Sequence, residues 1–390
     1  MCVLREPIMT RLSPRAHVLQ WLESAIASGE LPRGAAIPSE RLLAEQLGVS
    51  RNTVSTAMDI AEKRRLIAPK TPASRKRFVT ASIPVASPLS AATVVVLSEQ
   101  SPYTPEGQEN APRWSNRYLS IELLARLSAA GKHVMLLNTE SLSDQDVQDL
   151  FTTRFAGMAI LGTISEHPRA GLALSLCRER AIPAVTYGNY EALFAYDRVY
   201  SDHRLGSRDL TRWLLAKGCR NPHVFYPAEV DSLSWVRRRY EGYCDAMREA
   251  GLAPHPYISY GSYERLAISE EDRFRIHRAL AVESLLALQR QGVPFDALLC
   301  ITDHWAKAIV SALRNLGLRP NQDVLVAGYD NIQPDPEFDP FETTGAIVTI
   351  DKHNERIAGE MAALLLDRMA GRLPDAPQSR TNPFELIVRN

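Results

Sequence analysis

The sequence lacks any apolar run of the roughly 18–20 residues that a membrane-spanning helix requires. Its N-terminus, Met-Cys-Val-Leu-Arg-Glu-Pro, also lacks the apolar core of a secretory signal peptide. Cysteine is scarce and forms no C-x-x-C pair; the five cysteines are Cys2, Cys177, Cys219, Cys244 and Cys300. This scatter predicts free thiols in a reducing compartment rather than disulfides or a cysteine metal site. Together these absences predict a soluble, cytoplasmic protein.

Familiar catalytic and nucleotide-binding motifs are absent as well. The chain contains no G-x-G-x-x-G, G-x-x-x-x-G-K-[ST], G-x-S-x-G or H-E-x-x-H pattern. These patterns are typical of dinucleotide binding, phosphate binding, serine hydrolysis and zinc hydrolysis. The nine histidines are dispersed. We therefore predict no catalytic residues, no metal and no cofactor, and a function other than that of an enzyme.

The formal net charge of zero hides an asymmetry along the chain. Residues 1–82 hold 13 Lys and Arg against 7 Asp and Glu, a net charge of +6, and the rest of the chain carries −6. A basic N-terminal segment on an acidic remainder predicts that only this segment meets a polyanion such as DNA.

The basic segment has the pattern of three short helices followed by a hairpin. Apolar residues recur at helical spacing from Pro14. Ser39 and Ser50 are good N-cap residues for a second and a third helix, and Gly48 lies in the tight turn between them. The basic run that ends at Val79 predicts a short two-stranded hairpin.

Two helices joined by a glycine-containing turn, in a segment of net positive charge, are the geometry that places the second helix in the major groove of DNA. Arg51, Asn52 and Thr53 begin the predicted third helix, where arginine can pair with guanine and asparagine with adenine. Arg41 in the preceding helix can hold a backbone phosphate. The alternative is a small three-helix cluster whose charged residues only face solvent.

Two blocks in this segment closely resemble the winged helix-turn-helix of the GntR family of bacterial regulators. They are Gly34-Ala-Ala-Ile-Pro-Ser-Glu-Arg41 and Leu43-Ala-Glu-Gln-Leu-Gly-Val-Ser-Arg-Asn-Thr-Val54, within a match of about residues 12–79. The resemblance implies a DNA-binding domain at residues 8–80. The wing departs from the usual Gly-x-Gly-Thr-Phe-Val tip, because Ser74-Arg-Lys-Arg-Phe-Val79 has no glycine, and this favours phosphate contacts. The predicted DNA contacts are Arg41, Ser50, Arg51, Asn52, Thr53, Lys70, Arg75, Lys76 and Arg77.

The rest of the chain, beyond a proline-containing linker at residues 81–92, alternates short apolar runs with amphipathic helical segments. Such alternation predicts an α/β body whose parallel strands are covered on both faces. About nine runs are present, which fits two sheets of four to six strands better than one. The runs are Thr93–Leu97, Val134–Leu137, Met158–Leu161, Ala184–Tyr187, His223–Tyr226, Tyr257–Tyr260, Ala297–Ile301, Val324–Ala327 and Ala346–Ile350.

Four blocks of this region resemble the sugar-binding domain of lactose- and galactose-repressor proteins, the type I periplasmic-binding fold. They are Val199-Tyr-Ser-Asp202-His-Arg-Leu-Gly206, Arg239-Tyr-Glu-Gly242-Tyr, Phe295-Asp-Ala-Leu-Leu-Cys-Ile-Thr-Asp303-His-Trp-Ala306 and Val324-Leu-Val-Ala-Gly-Tyr-Asp330-Asn331. The resemblance implies two lobes joined by three crossovers, with a ligand between them, in residues 93–390. It places the first lobe at about 93–203 plus 351–371 and the second at about 204–350 plus 372–390, ending in the strand Glu385–Val388.

Candidate ligand contacts follow from this resemblance and from the chemistry of sugars. In open α/β sheets a ligand lies at the carboxyl ends of the strands. There Asp303 and Arg239 would pair with vicinal hydroxyls, and aromatic faces would cover C–H surfaces. A single aromatic residue is more often part of the core than a ligand contact, and Asp330 could instead cap a loop. The predicted effector contacts are Tyr103, Trp114, Tyr187, Asn189, Asp202, Trp235, Arg239, Asp303, Trp305, Asp330 and His353.

A GntR-type head on a lactose-repressor-type body resembles the bacterial arabinose repressors. This combination implies a homodimer that binds operator DNA and is released by a small sugar-like effector. A ligand-dependent activator and a corepressor-dependent regulator have the same domains. A pyridoxal phosphate enzyme fused to such a head would need a Schiff-base lysine. No lysine of the body lies in a Ser-x-x-Lys context; these lysines are Lys132, Lys217, Lys307 and Lys352. A solute-binding protein, the other alternative, would not carry a basic head.

Overall fold

The computed structural model describes residues 14–27, 30–63, 66–68, 76–80, 92–98, 116–161, 168–227, 233–260 and 269–389. The chain divides into two units, which we call the head (residues 1–91) and the body (residues 92–390). Most of the predicted linker at 81–92 lies outside the described residues.

Local capping signals set the helix boundaries of the head. Its described helices are α1 (Pro14–Ala27), α2 (Glu40–Leu47) and α3 (Arg51–Lys63). Ser39 caps α2, because its Oγ accepts a hydrogen bond from the amide of Leu42 at 3.3 Å. Gly48 ends α2 in the left-handed region at φ = 65°, which glycine adopts without steric cost. The three helices and the turn of the predicted helix-turn-helix are therefore present.

A small apolar core and a short set of strand pairings hold the head together. Val18, Leu43 and Val54, one from each helix, are completely buried. Ile67 pairs antiparallel with Val79, which agrees with the predicted hairpin. The tip of the hairpin, with Lys70 and Arg75, lies outside the described residues.

The body contains two six-stranded sheets in its described residues. The first sheet has the order β11-β5-β4-β3-β1-β2 and is parallel throughout. Its strands are β1 (Thr93–Ser98), β2 (His133–Asn138), β3 (Gly157–Ile160), β4 (Ala184–Tyr187), β5 (Asp197–Ser201) and β11 (Ser379–Asn382). The predicted division into two parallel sheets is confirmed.

The second sheet has the order β12-β10-β9-β8-β6-β7, and only β12 runs antiparallel to its neighbour. Its strands are β6 (Pro222–Pro227), β7 (Ile258–Tyr260), β8 (Ala297–Cys300), β9 (Leu325–Ala327), β10 (Val348–Asp351) and β12 (Glu385–Val388). The chain crosses between the sheets after β5, after β10 and after β11, so the body has two lobes joined by three crossovers.

Helices cover both faces of each sheet, as the apolar strands predict. Those of the first lobe are α4 (Asn116–Ala129), α5 (Asp144–Leu150), α6 (Pro168–Glu179) and α11 (Asn354–Met369). Those of the second lobe are α7 (His203–Ala216), α8 (Ser234–Glu249), α9 (Glu270–Arg290) and α10 (Asp303–Asn315). Alternate residues of one strand enter opposite cores: Val96 packs with Leu123 on one face, and Leu97 packs with Phe151 on the other.

The predicted assignment of residues 372–390 to the second lobe is wrong in part. Strand β11 pairs with β5 and so completes the first sheet, and only β12 joins the second. The reason is a charged clamp on Asp197 of β5. Its carboxylate accepts hydrogen bonds from Arg368 of α11 at 2.6 and 2.7 Å and from the amide of Gln378 at 2.7 Å, which fastens the returning chain to the edge of the first sheet.

The glycine of the Arg-x-x-Gly-aromatic block is required by helix packing. A Cβ at Gly242 would lie 2.0 Å from the carbonyl oxygen of Arg204, so α7 and α8 pack backbone against backbone at this point. Gly242→Ala is expected to lower the free energy of unfolding by about 3 kcal/mol, the upper end of the range for overpacking. Gly171→Ala in α6 is the matched control, since a Cβ there meets no atom within 4 Å. The control should be neutral or stabilising, and equal melting temperatures for the two variants would contradict this account.

The described cysteines are all buried and unpaired. Burial raises the pKa of Cys177 to about 12 and that of Cys219 to about 11, so both remain thiols at neutral pH. None of the described helices is both long and apolar enough to span a bilayer. Cys2 lies outside the described residues.

Candidate nucleic-acid interface and effector cleft

The N-terminal turn of α3 presents polar side chains to solvent. Ser50 caps the helix, because its Oγ accepts a hydrogen bond from the amide of Thr53 at 3.0 Å and lies 2.7 Å from the Thr53 hydroxyl. Arg51 and Asn52 are exposed, while Val54 on the opposite face is fully buried in the core of the head. The cap thus starts the helix where its first two residues face outward.

Arg41 on α2 is also exposed. Its Nη1 lies 3.4 Å from Oε1 of Glu45, one helical turn away, and both side chains are more than half exposed. Exposed pairs of this kind contribute little free energy, so Arg41 can exchange Glu45 for a phosphate at low cost. Lys76 is exposed as well.

The predicted DNA contact at Arg77 is wrong. Its side chain is 8% exposed, and its guanidinium binds three carboxylates of the head: Glu40 at 2.5 Å, Glu62 at 2.5 Å and Asp59 at 3.1 Å. Arg77 therefore joins the closing strand of the hairpin to α2 and α3, and its charge is buried and paired within the head. We call Arg77, Glu40, Asp59 and Glu62 the arginine clasp.

In the body, Arg239 lies at the centre of a buried polar cluster beyond the strands of the second sheet. It is 2% exposed, and its Nη1 donates to the carbonyl oxygen of Ile301, just past β8. Its Cζ lies 3.4 Å from the ring centroid of Tyr329 and 4.5 Å from that of Trp235. Its Nε lies 3.4 Å from Nδ1 of His203, the first residue of α7. The structure thus brings the predicted residues Arg239 and Trp235 together.

Asp330 and Lys352 complete this cluster. Asp330 follows β9 with a backbone φ of 83°, and its Oδ1 lies 2.8 Å from Nζ of Lys352 and 3.7 Å from Nη2 of Arg239. Burial opposes the charge on Lys352, but Asp330 and the nearby Tyr187 together raise the pKa of Lys352 above its usual value. Lys352 and Asp330 therefore form a buried ion pair at the crossover after β10.

His203 is neutral in this cluster. Burial lowers the pKa of His203 well below its usual value, and the positive charges of Arg239, Lys352 and Arg238 lower it further. Neither His203 nor Tyr329 nor Lys352 was among the sequence-based candidates. All three lie next to predicted residues, which are Asp202, Asp330 and His353. For His203 and Tyr329, their position in the motif blocks was the available signal.

We take Asp303 out of the set of effector contacts. It is 1% exposed, and its Oδ2 accepts hydrogen bonds from the amide of Ile332 at 2.8 Å, from the Thr349 hydroxyl at 2.9 Å and from Nη2 of Arg389 at 2.9 Å. A Cβ at Gly328 would lie 1.7 Å from its Oδ1. Asp303 thus holds β10, the segment after β9 and the end of the chain together.

The other predicted effector contacts have different surroundings. Tyr187 is buried at the end of β4, with its Oη 3.0 Å from the Ser201 hydroxyl. Asp202 caps α7 by accepting from the amide of Leu205 at 3.0 Å. Asn189 is half-buried beyond β4. Tyr103 and Trp114 lie outside the described residues.

Trp305 and His353 are held by neighbours of their own chain. The ring of Trp305 packs 3.7 Å from that of His277 and 5.5 Å from that of Phe338, between centroids, which favours the core interpretation of this residue. His353 precedes α11 at the second crossover, with its Nε2 3.6 Å from a carboxylate oxygen of Glu385.

A cavity of about 210 Å³ opens beside this crossover. Its walls come from the segment after β9 and from the segment between β10 and α11. Lys352 and Asp330 line it, so the cluster opens onto this cavity. The lining residues are Asp330, Asn331, Gln333, Asp351, Lys352, Asn354 and Glu355.

Comparison with protein families agrees with both units. Residues 14–71 match the model of bacterial regulatory proteins of the gntR family, and residues 211–390 match that of the periplasmic binding protein-like domain. The chain therefore joins a GntR-type head to a periplasmic-binding-protein-like body. A pyridoxal phosphate enzyme fused to such a head does not fit this body.

Curated relatives are transcriptional repressors. The HTH-type transcriptional repressor CytR of Escherichia coli (strain K12) is 26% identical over 62% of this chain, and the alignment spans only 63% of the CytR length. The HTH-type transcriptional repressor PurR of Pectobacterium carotovorum is 26% identical over 87% of this chain and 93% of its own length.

Solved structures share the fold. A complex of the transcriptional regulator CelR with cellobiose matches with a TM-score of 0.58 at 18% identity, covering 90% of this chain and 99% of that one. A LacI-family regulator from Enterococcus faecium with bound ribose matches with a TM-score of 0.55 at 17% identity, covering 76% of this chain and 97% of that one.

Proposed function

We propose that this chain is a ligand-responsive repressor of transcription. The head binds operator DNA, and a small polar effector binds between the two lobes of the body and weakens that binding. The observation that carries the proposal is the pairing of two sites on one chain: the outward-facing Arg51 and Asn52 at the start of α3, and the buried cluster around Arg239 at the crossovers.

The proposed operator contact is major-groove recognition by the first turn of α3. Arg51 and Asn52 are the side chain types that bind guanine and adenine bidentately. Arg41 and Lys76 would hold backbone phosphates on either side. One head offers few contacts, so we propose that two chains bind as a homodimer to a pseudo-palindromic site.

The proposed switch is closure of the lobes around the effector. Three crossovers connect the lobes, and Lys352, which pairs with Asp330, lies at one of them. A ligand that binds the closed form more tightly shifts the population toward that form. Because coupling is reciprocal, an effector that weakens operator binding 5–150-fold itself binds the DNA complex more weakly by about the same factor.

Operator binding tests the first half of this proposal. With the full chain and a DNA site selected from a random library, Arg51→Ala is expected to lower the binding free energy by roughly 1–3 kcal/mol, since a base contact is lost. Lys63→Ala, at the far end of the same helix, is the matched control and should bind as the wild type does. Equal affinity of the Arg51 variant and the wild type in a gel-shift titration would remove α3 from the interface.

The sign of the response is tested by fluorescence anisotropy of labelled operator with and without a saturating effector found by thermal-shift screening. A ligand that binds only the native state raises its stability in proportion to RT ln(1 + [L]/Kd). Weaker operator binding with ligand supports the repressor proposal. Tighter binding would contradict it and favour a corepressor-dependent regulator or an activator.

A further inference from the structure

The buried cluster of the body holds more positive than negative charge. Arg239 is 2% exposed, and the side chains of Lys352 and Asp330 are 11% and 12% exposed. His203, in contact with Arg239, is neutral. Among the residues that the structure describes here, two cations therefore face one carboxylate in a place where an unbalanced charge is costly.

The nearby carboxylates have other partners among the described residues. Asp202 caps α7 through the amide of Leu205. Asp351 accepts from Nδ2 of Asn331 at 2.9 Å and from the amide of His353 at 2.7 Å. Neither carboxylate balances the second cation of the cluster. Asp330 is therefore the counter-charge for both Arg239 and Lys352 among the described residues.

Some donors of the cluster also lack an acceptor at hydrogen-bond distance. The distance of 3.7 Å from Nη2 of Arg239 to Asp330 is too long for a hydrogen bond. Nε1 of Trp235 and the hydroxyl of Tyr329 are buried, with no hydrogen-bond partner in the part of the chain that the structure describes. An indole N–H can only donate, so this site calls for an acceptor.

We propose that the effector carries an anionic group, a carboxylate or a phosphate, which binds to Arg239 and Lys352 beside Trp235. This inference rests on the proposed function and names the class of ligand: a polyhydroxylated acid or a phosphate ester rather than a neutral sugar. Lys352 directly follows β10, at a crossover that joins the two lobes. The anion would therefore bind where both lobes contribute.

The rival outcome follows from the cavity beside the cluster. Asp351 and Glu355 line that cavity together with Asp330. If their negative charge governs entry, a neutral sugar will bind at least as well as its acid. The two outcomes differ in the charge of the preferred ligand, with the carbon skeleton held constant.

Calorimetric titration of the full-length protein with glucose, gluconate and glucose 6-phosphate, and with the matching pentose series, provides the test. At least one charged member is expected to bind about tenfold or more tightly than its neutral parent, the effect of a charge-assisted hydrogen bond. Lys352→Met should reduce this preference by about tenfold, and Lys352→Arg should largely retain it. Lys217→Met, at the opposite end of α7 from His203, is the control and should leave the preference unchanged.

Preferential binding of a neutral sugar overturns the anion proposal, and so does the absence of any charged ligand that binds the wild type better than Lys352→Met. Operator binding without ligand is measured separately with the wild type. A chain that binds operator and responds to a neutral sugar would keep the proposed function and lose this inference. A chain that binds acids but no DNA would keep this inference and lose the proposed function.

Discussion

Replacing Arg77 by methionine is expected to destabilise the head by about 3 kcal/mol, because it leaves the carboxylates of the arginine clasp without their cation. Glu40 and Glu62 are each only about one-fifth exposed, so water cannot fully compensate them. Native-state hydrogen exchange of the full chain would report this change as faster exchange of the α3 amides. Lys76→Met, at the exposed neighbouring position, should change exchange by less than about 0.5 kcal/mol.

The same variant separates a positioning role from direct contact with DNA. A residue that neutralises a phosphate contributes roughly 0.9 to the slope of log K against log salt. Arg77→Met should weaken operator binding without changing this slope, whereas Arg41→Ala should make the slope shallower. A reduced slope with unchanged α3 exchange would mean that Arg77 meets DNA after all.

Asp303→Asn is expected to change how stability depends on pH. Burial raises the pKa of Asp303 to about 6, against the opposing influence of Arg389, Thr349 and the amide of Ile332. In the unfolded chain an aspartate has a pKa of about 3.9. Between these values the native chain retains a proton that the unfolded chain has released, so the contribution of Asp303 to the free energy of unfolding falls as pH rises.

The contribution of Asp303 to the free energy of unfolding is expected to fall by about 3 kcal/mol, from roughly two pKa units at 1.36 kcal/mol each. The quantity to measure is the difference in free energy of unfolding between wild type and Asp303→Asn, at intervals from about pH 3 to pH 7.5, which spans both pKa values. As pH rises, the wild type should lose stability relative to Asp303→Asn. Glu283→Gln, an exposed position on α9, serves as the control. A difference independent of pH would mean that Asp303 titrates alike in both states.

Local sequence signals were enough to predict the head and most of the strands. Ser39, Gly48 and Ser50 act within four residues of their own position, so helix boundaries follow from the sequence. Strand β11 was missed because Ser-Arg-Thr-Asn has no apolar alternation; it is an edge strand held by Arg368 and Asp197, which are 171 positions apart. No local pattern indicates such a partner.

The functional side chains divide in the same way. Arg77 belongs to a basic run that favours phosphate contacts, but its partners Glu40 and Glu62 come from two helices that meet it only in the folded head. Asp303 follows a family block closely, yet Arg389, 86 positions later, occupies its carboxylate. The sequence therefore indicates which charged side chains are candidates for a site. It does not indicate the distant partner that decides the role of each one.

The last two strands of the described chain, although short, belong to different lobes. β11 closes the first sheet, β12 closes the second, and Arg389 reaches back to Asp303 and Asn331. Proteolytic cleavage between residues 372 and 379 would therefore separate the edge strands of both lobes, and one of the three crossovers, from the rest of the chain. If the proposed closure of the lobes is to be followed with a label, the label should be attached away from these strands.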